Sequence, residues 1–274
     1  IDKSEVSRIA KELDEEVNLF RNRPLEGPYP YLWLDATYLK IRSNHRVVNK
    51  ALVIALGVKM TGEREILGFA IGPCESEPFW YEFLKDLTSR GLSGVQLVIS
   101  DAHEGLKNAI RKALLGASWQ RCTVHFMRNA LAHVPRGAQQ MVAAYIRTIF
   151  AQPDQATAKA QLRQVAATLE ERFPKVAQML CECEDDILAY MAFPKEHHRQ
   201  IHSTNPLERL NKEIKRRADV VGIFPNDESA LRLLGAVMME QNDEWIVLRR
   251  YFSQESMSKL LPPTDATMAL PPVD

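Results

Sequence analysis

The order of strand-like and helix-like segments in the first half of the chain constrains its fold more than any other feature. Three strand-like segments, at 31–42, 47–58 and 65–72, follow one another with turn residues between them, which predicts an antiparallel meander. A helix-like segment precedes a wholly apolar strand at 95–100, and another precedes a short strand near 118–122. Strands separated by helices favour crossover connections and parallel pairing. The sequence therefore predicts an α/β fold, a mixed sheet flanked by helices.

The second half of the chain is expected to be helical. Residues 125–192 carry apolar residues at helical spacing and show no strand pattern. We therefore divide the chain into five segments. They are an N-terminal helix and linker (1–28), the first part of the core (29–124), a helical insertion (125–193), the returning helix and C-terminal helix of the core (194–250), and a C-terminal tail (251–274).

The N-terminal helix allows two interpretations. Residues 4–21 carry apolar side chains at helical spacing, as an ordinary amphipathic helix does. The same segment could be the remnant of a helix-turn-helix DNA-binding region whose first part is missing. The chain begins with Ile1 rather than Met, and we expect a piece of a longer polypeptide.

Composition excludes some classes of protein and leaves others open. Lys+Arg and Asp+Glu are both 35, so a basic surface for nucleic acid must be local rather than global. Four cysteines in a chain of 274 residues do not form the disulfide framework of a small secreted domain. No signal peptide and no apolar run of membrane-spanning length occur. We expect a reduced, cytoplasmic protein with no membrane partner.

Three carboxylates stand in contexts that suit metal-dependent phosphoryl transfer. Asp35 interrupts the apolar strand Y-L-W-L-D-A-T-Y-L, Asp101 closes the apolar strand V-Q-L-V-I-S, and Glu208 opens a basic helix. A carboxylate inside a buried strand is costly unless something compensates its charge. Two strand carboxylates and one helix carboxylate could share a pair of divalent cations, which would activate water or a 3′-hydroxyl against a phosphodiester.

Each strand carboxylate also has a simpler interpretation. Asp35 could be a strand-end residue bonded to backbone amides. It could also be the nucleophile of a haloacid-dehalogenase-type phosphatase, but Thr37 occupies the position where that family has a second Asp. Asp101 could cap the helix that begins near His103, and this role is compatible with metal binding.

Glu208 has the strongest structural alternative. Asn205 is a good N-cap, Pro206 fits the first helical position, and Glu208 would then complete a capping box. Glu208 could also pair with Lys212 at i, i+4. Basic residues outnumber acidic ones from 195 to 217, which favours contact with a phosphate backbone. The candidate DNA-binding residues are Arg209, Lys212, Lys215, Arg216 and Arg217.

Cys122 and His125 form a C-x-x-H pair after the last short strand. Structural zinc requires four ligands, and this pair supplies two. Cys181 and Cys183, with a later histidine, could complete a set, but their separation along the chain does not fix such a geometry. We expect a buried packing pair in which His125 is hydrogen-bonded near the active site.

Four motifs together resemble a known family. D-A-T-Y-L-K at 35–40, S-D-A-H-E-G-L at 100–106, R-C-T-V-H at 121–125 and S-T-N-P-L-E-R-L-N-K-E-I-K-R-R at 203–217 resemble the Mutator-like family of bacterial insertion-sequence transposases. The likeness covers residues 29–250. It implies an RNase H-like DDE fold with an all-helical insertion between the second Asp and the Glu, and it places the family's C-x-x-H motif at Cys122 and His125.

The resemblance also implies a function. Asp35, Asp101 and Glu208 would be the catalytic triad and the ligands of two Mg²⁺ or Mn²⁺ ions, for DNA strand cleavage followed by 3′-hydroxyl strand transfer. The implied partners are double-stranded DNA, as transposon ends and target, and further copies of the chain in a homodimer or higher oligomer on the bacterial nucleoid. One alternative is an RNase H-like nuclease or resolvase that only hydrolyses DNA. Another is a domesticated DNA-binding regulator without catalysis.

Overall fold

The computed structural model describes residues 2–248 and 250–261. Its centre is one sheet with the strand order β3-β2-β1-β4-β5. The strands are β1 (Tyr31–Ser43), β2 (Arg46–Val58), β3 (Arg64–Gly72), β4 (Leu97–Ser100) and β5 (Ser118–Arg121). β1, β2 and β3 pair antiparallel, whereas β4 pairs in parallel with β1 and β5 in parallel with β4. The mixed sheet predicted from the sequence is confirmed.

Helices cover both faces of this sheet. They are α1 (Lys3–Asn22), α2 (Glu77–Ser89), α3 (Glu104–Ala113), α4 (Thr123–Ala132), α5 (Arg136–Phe150), α6 (Gln155–Glu170), α7 (Pro174–Glu182), α8 (Glu184–Leu188), α9 (His198–Ile201), α10 (Asn205–Val221), α11 (Asp227–Val247) and α12 (Gln254–Ser258). Two 3-10 turns, Ala189–Ala192 and Lys195–His197, lie between α8 and α9. All described elements between β5 and α10 are helical, as predicted for the insertion.

The alternation of side chains along β1 separates two hydrophobic cores. Leu32 and Leu34 point to the face covered by α2 and α3, whereas Tyr31 and Trp33 point to the face covered by the insertion, α10 and α11. Successive side chains of a strand point to opposite faces. Asp35 continues the series of Tyr31 and Trp33, so it is directed to the face on which α10 lies.

β1 and α10 are joined near both ends of the helix. Before its start, the Trp33 indole Nε1 donates to the Ser203 carbonyl at 3.1 Å. After its end, the Arg42 amide donates to the Phe224 carbonyl at 2.8 Å, and the Phe224 amide donates to the Lys40 carbonyl at 2.9 Å. The helix therefore runs along β1 in the strand's own direction, and its apolar side rests on the sheet.

The two ends of the described chain also pack on the core. Gly235 of α11 allows Val17 of α1 to approach closely, because a Cβ at that glycine would lie 2.4 Å from a Val17 methyl carbon. Phe252 is buried, and its ring centre lies 5.5 Å from that of Tyr31. Residues 262–274 of the predicted tail lie outside the described residues. None of the described helices combines the length and apolar composition that crossing a membrane requires.

Candidate active site

A cavity of about 450 Å³ opens between β1, α4 and α10, and we call it the site cavity. Its lining includes Asp35 from the middle of β1, His125 from α4, and Glu208 from the first turn of α10. Two of the three predicted catalytic carboxylates therefore face the same space. Asp101 is not among the lining residues, but it contacts His125, which is.

The carboxylate of Asp35 is held on both of its oxygens. The Ala36 amide donates to Oδ1 at 2.9 Å, and the Asn211 side-chain amide donates to Oδ2 at 2.5 Å. Burial raises the pKa of Asp35 to about 6, and the charge of Asp101 adds to the rise, although both hydrogen bonds and His125 oppose it. Charging Asp35 is therefore unfavourable in the folded protein, and a nearby cation would relieve that cost.

Asp101 follows β4 directly and forms an ion pair with His125. The pKa of His125 is raised to about 10, first by its hydrogen bond to Asp101 and then by its contact with Cys122. The interpretation of Asp101 as a helix cap is wrong. His103 is the N-cap of α3, and its ring accepts the Leu106 amide at 3.3 Å.

Asp101, Cys122 and His125 form a compact cluster. One carboxylate oxygen, the thiol sulfur and one ring nitrogen lie within 4.8 Å of one another. This proximity follows from the sheet, because β4 and β5 are parallel neighbours and Asp101 and Cys122 each follow their last residues. Asp35, Asp101 and Glu208 are all described, and they do not form such a close group.

Cys122 fixes the segment that leads into α10. Its sulfur is fully buried and accepts hydrogen bonds from the amide and the hydroxyl of Thr204, each at 3.4 Å. Burial alone would raise the pKa of the Cys122 thiol, but hydrogen bonds with His125 and Thr204 lower it. The Thr123 amide also donates to the His202 carbonyl at 3.0 Å. The start of the Glu208 helix is thus attached to the end of β5.

The capping-box interpretation of Glu208 is wrong. α10 begins at Asn205, its N-cap is Thr204, and no side chain caps it. The Thr204 hydroxyl, which could have capped the helix, bonds instead the sulfur of Cys122, which is distant in the sequence. Glu208 is exposed. It makes no ion pair within 4.0 Å with Lys212 or another cation of the described chain, so its carboxylate is available to a ligand.

The five candidate DNA-binding residues divide between two faces of α10. Lys212 and Lys215 line the site cavity. Arg209, Arg216 and Arg217 line a groove of about 420 Å³ between α10 and α11, to which Lys212 also contributes. We call it the α10–α11 groove.

Ion pairs occupy two of the three arginines of the α10–α11 groove. Arg216 and Arg217 donate to Glu213 at 2.6 and 2.8 Å. These hydrogen bonds lower the pKa of Glu213 to about 2. Two of the five predicted phosphate contacts are therefore already paired with a carboxylate, whereas the lysines on the cavity side have no such partner in the described residues.

Several residues of the site are not predicted by the sequence analysis. Asn211 bonds Asp35 from a position three residues after Glu208, and Arg128 lines the cavity three residues after His125. Helical spacing from the recognised motifs could have identified both. Trp33 and Thr204 position α10 through contacts between distant parts of the chain, and local spacing contains no signal for them.

The sequence of this chain is similar to those of known proteins. A family model described as "Transposase, Mutator family" matches residues 1–247. The transposase for insertion sequence element IS1081 of Mycobacterium tuberculosis is 48% identical over 94% of this chain and 63% of its own length. The transposase for ISRM5 of Rhizobium meliloti is 41% identical over 93% of this chain and 64% of its own. The chain thus spans less than two thirds of these relatives.

Among solved structures, the catalytic core domain of BIV integrase aligns with 69% of this chain and 99% of that chain at 16% identity. Its TM-score is 0.23, which is too low to support an argument about this fold. The assignment of the fold therefore depends on the strand order and pairing described above.

Proposed function

The chain belongs to the Mutator family of transposases, and from this premise we propose that it carries the catalytic centre of a metal-dependent DNA transposase. It would cleave DNA strands at the ends of an insertion sequence and join the freed 3′-hydroxyls to target DNA. One observation carries the proposal: two carboxylates, Asp35 and Glu208, share a cavity with the cationic side chains of Arg128, Lys212 and Lys215. Carboxylates suit divalent cations and the surrounding cations suit phosphates.

The residues of the site fit a divalent metal. Carboxylate oxygens are the ligands that Mg²⁺ prefers, and the raised pKa of Asp35 reflects a negative charge that its surroundings do not compensate. Glu208 has no ion-pair partner in the described chain. We propose that Asp35, Asp101 and Glu208 would hold two divalent ions.

A bound pair of Mg²⁺ or Mn²⁺ ions would lower the pKa of the attacking water or 3′-hydroxyl and stabilise the leaving oxygen. The protein's own residues would do the rest. Asn211 and the Ala36 amide orient the Asp35 carboxylate, and the ion pair with His125 holds the carboxylate of Asp101. Lys212 and Lys215 would hold the phosphates on either side of the reacting bond.

The proposed partners are double-stranded DNA, both as element ends and as target, and further copies of the chain. The unpaired lysines of the site cavity support the first. The homodimer or higher oligomer rests on the family resemblance alone.

A cleavage and joining assay tests the function. The purified chain is incubated with a plasmid that carries the element ends, in Mg²⁺, in Mn²⁺ and in EDTA. Nicking at the ends and joined products in either metal, absent in EDTA and absent for Asp35→Asn, are expected. Hydrolysis without joining would favour the nuclease alternative. DNA affinity that is independent of Mg²⁺, with no cleavage, would favour the regulator.

Cys122 and His125 are expected to act without zinc. Their cluster offers three ligand atoms, whereas a structural zinc site uses four. The Cys122 sulfur is also committed to the amide and hydroxyl of Thr204. Elemental analysis of protein purified without added metal should find no zinc, and one zinc ion per chain would contradict this view.

A further inference from the structure

A third depression lies where the helical insertion meets the segment that returns to α10. It has a volume of about 550 Å³ and is bounded by the α5–α6 turn at Phe150–Pro153, the 3-10 turn that holds Tyr190, and α9. Lys195 and Arg199 stand at its wall. We call it the insertion groove.

The insertion groove has a strongly one-sided charge. Lys195 and Arg199 are exposed, and neither has a carboxylate within 4.0 Å among the described residues. None of the lining residues that the structure describes is acidic. The α10–α11 groove differs, because Glu213, Glu240 and Glu244 line it beside its arginines. A polyanion in the insertion groove would therefore meet no lining carboxylate among the described residues, whereas in the α10–α11 groove it would meet three.

The floor of the insertion groove is built from rings that hold one another in place. The ring centre of Tyr190 lies 5.0 Å from that of His198 and 6.1 Å from that of His202, in edge-to-face and tilted contacts. The His198 Nε2 is bonded to the Phe193 carbonyl at 2.8 Å, and the His202 Nδ1 to the Thr123 hydroxyl at 2.7 Å. A floor with fixed rings loses little side-chain entropy when a ligand binds.

The insertion groove adjoins the site cavity. Thr123 lines the groove and Val124, the next residue, lines the cavity. On the other wall, His202 lines the groove and Thr204 lines the cavity. A chain of phosphates that leaves the site cavity over this shared wall would therefore enter the insertion groove.

We propose that the insertion groove binds the phosphate backbone of the DNA strand that extends from the site cavity. This inference rests on the proposed function, which places the reacting phosphate between Asp35 and Glu208. Lys195 and Arg199 each contact one phosphate of that strand. The segment that returns from the helical insertion to α10 thereby becomes part of the DNA-binding surface.

Salt dependence of DNA binding tests the proposal. A short fluorescein-labelled DNA duplex is titrated with the chain in EDTA at several KCl concentrations, and affinity is followed by fluorescence anisotropy. Each lost phosphate contact reduces the slope of log affinity against log salt by about 0.9. Lys195→Ala with Arg199→Ala should therefore reduce it by about 1.8 units, and the charge-reversing pair Lys195→Glu with Arg199→Glu by more.

A matched variant removes the same charge from the opposite face of the sheet. Lys85 of α2 and Arg111 of α3 are exposed and have no ion pair in the described chain. Lys85→Ala with Arg111→Ala should leave the slope unchanged, and melting temperatures should agree among all variants because every altered side chain is exposed. An equal decrease in the salt slope for this control, or an unchanged salt slope for the Lys195 and Arg199 variant, would contradict the proposal that the insertion groove binds DNA.

The wild-type chain separates this failure from failure of the proposed function. If it cleaves DNA in Mg²⁺ while the Lys195 and Arg199 variant keeps the full slope, only the insertion groove is rejected. If the wild-type chain neither binds nor cleaves DNA, the function is rejected and the groove with it.

Discussion

Two carboxylates on opposite sides of α10 experience opposite electrostatic environments. Asp35 faces the cavity side, where burial raises its pKa to about 6. Glu213 lies on the other side, where hydrogen bonds from Arg216 and Arg217 lower its pKa to about 2. The protein satisfies the charge of Glu213 by itself and leaves that of Asp35 under-compensated. A carboxylate whose charge is not compensated by the protein marks a site where a cation would bind favourably.

The basic residues of the same helix divide in the same way. Lys212 and Lys215 border the site cavity without a carboxylate partner in the described residues, whereas Arg216 and Arg217 are held by Glu213. A count of charges along the sequence treats these four residues alike. Their different partners indicate that the cavity side of α10 is the side prepared for ligands.

The largest expected effect compares two glutamates of α10. Glu208→Gln removes the carboxylate that we assign to a metal, and metal-dependent cleavage should fall at least about a hundredfold, as for other groups that stabilise charge in a transition state. Glu213→Gln, on the other face, should keep most of the activity. Cleavage rates at saturating DNA, with melting temperatures as a check on folding, measure both.

The two glutamate variants also test the comparison itself. If Glu208→Gln keeps its cleavage rate, or if Glu213→Gln loses as much activity, the cavity side of α10 has no special role. The third metal ligand would then lie elsewhere.

The second effect concerns stability in EDTA. Asp35→Asn removes a charge that is costly to bury, and Asn211 can turn its amide to accept from the new side chain because its own Oδ1 has no partner. At pH 7 the variant should be more stable than wild type by up to about 3 kcal/mol, the equivalent of a pKa raised from 3.8 to about 6.

The pH dependence of this difference has a definite sign. A carboxyl whose pKa is raised by folding stays protonated longer in the folded state, so the wild type loses stability as the pH rises from 3.8 through about 6. Denaturant unfolding at pH 4 should therefore show almost equal stabilities, and Mg²⁺ at pH 7 should narrow the gap by stabilising only the wild type. Equal stabilities at pH 7 in EDTA would show that the cavity already compensates Asp35.

A smaller effect separates the lysines from the arginines. Lys212→Ala with Lys215→Ala should reduce the slope of log affinity against log salt by about 1.8 units if each contacts one phosphate. Arg216→Ala with Arg217→Ala should reduce it less, because both arginines are already paired with Glu213. Anisotropy titrations over a range of KCl measure both slopes, and a steeper loss for the arginine pair would reverse our assignment of the two faces.

The smallest effect tests how α10 is attached. Thr204→Val keeps the shape of the side chain but removes the hydroxyl that donates to the Cys122 sulfur. One hydrogen bond of this kind is worth about 1 kcal/mol. Denaturant unfolding should show a loss of that size, and cleavage should fall more than DNA affinity if the contact mainly positions Glu208.

The sequence was sufficient for the sheet and insufficient for the details of the site. Alternating and continuous apolar runs predicted all five strands to within about two residues, because the burial of a strand determines the pattern of apolar residues within it. The cap of α10 was mispredicted, since the Thr204 hydroxyl is engaged by Cys122, which is distant in the sequence. The pairing of Arg216 and Arg217 with Glu213 follows from spacings of three and four residues and could have been recognised.

The contact of Asp101 with His125 could have been predicted in part, from the order of the strands. It follows from parallel pairing of β4 and β5, which brings their carboxyl ends to one edge of the sheet. A predicted strand order would therefore have suggested it. The insertion groove has no such signal, because Tyr190, His198 and His202 meet only through the packing of the insertion.

β1 is joined to the chain just before the start and just after the end of α10. These two attachments limit the insertions and deletions that the gene can accept in β1 and α10. From Trp33 to Ile41, β1 advances about 26 Å at about 3.3 Å a residue. The 17 residues of α10 span about 25 Å at about 1.5 Å each. Deleting one codon of α10 after Glu208 would turn Glu208 by about 100° relative to Phe224. Insertions and deletions should therefore be rare in these two stretches and frequent in the exposed turns of the insertion.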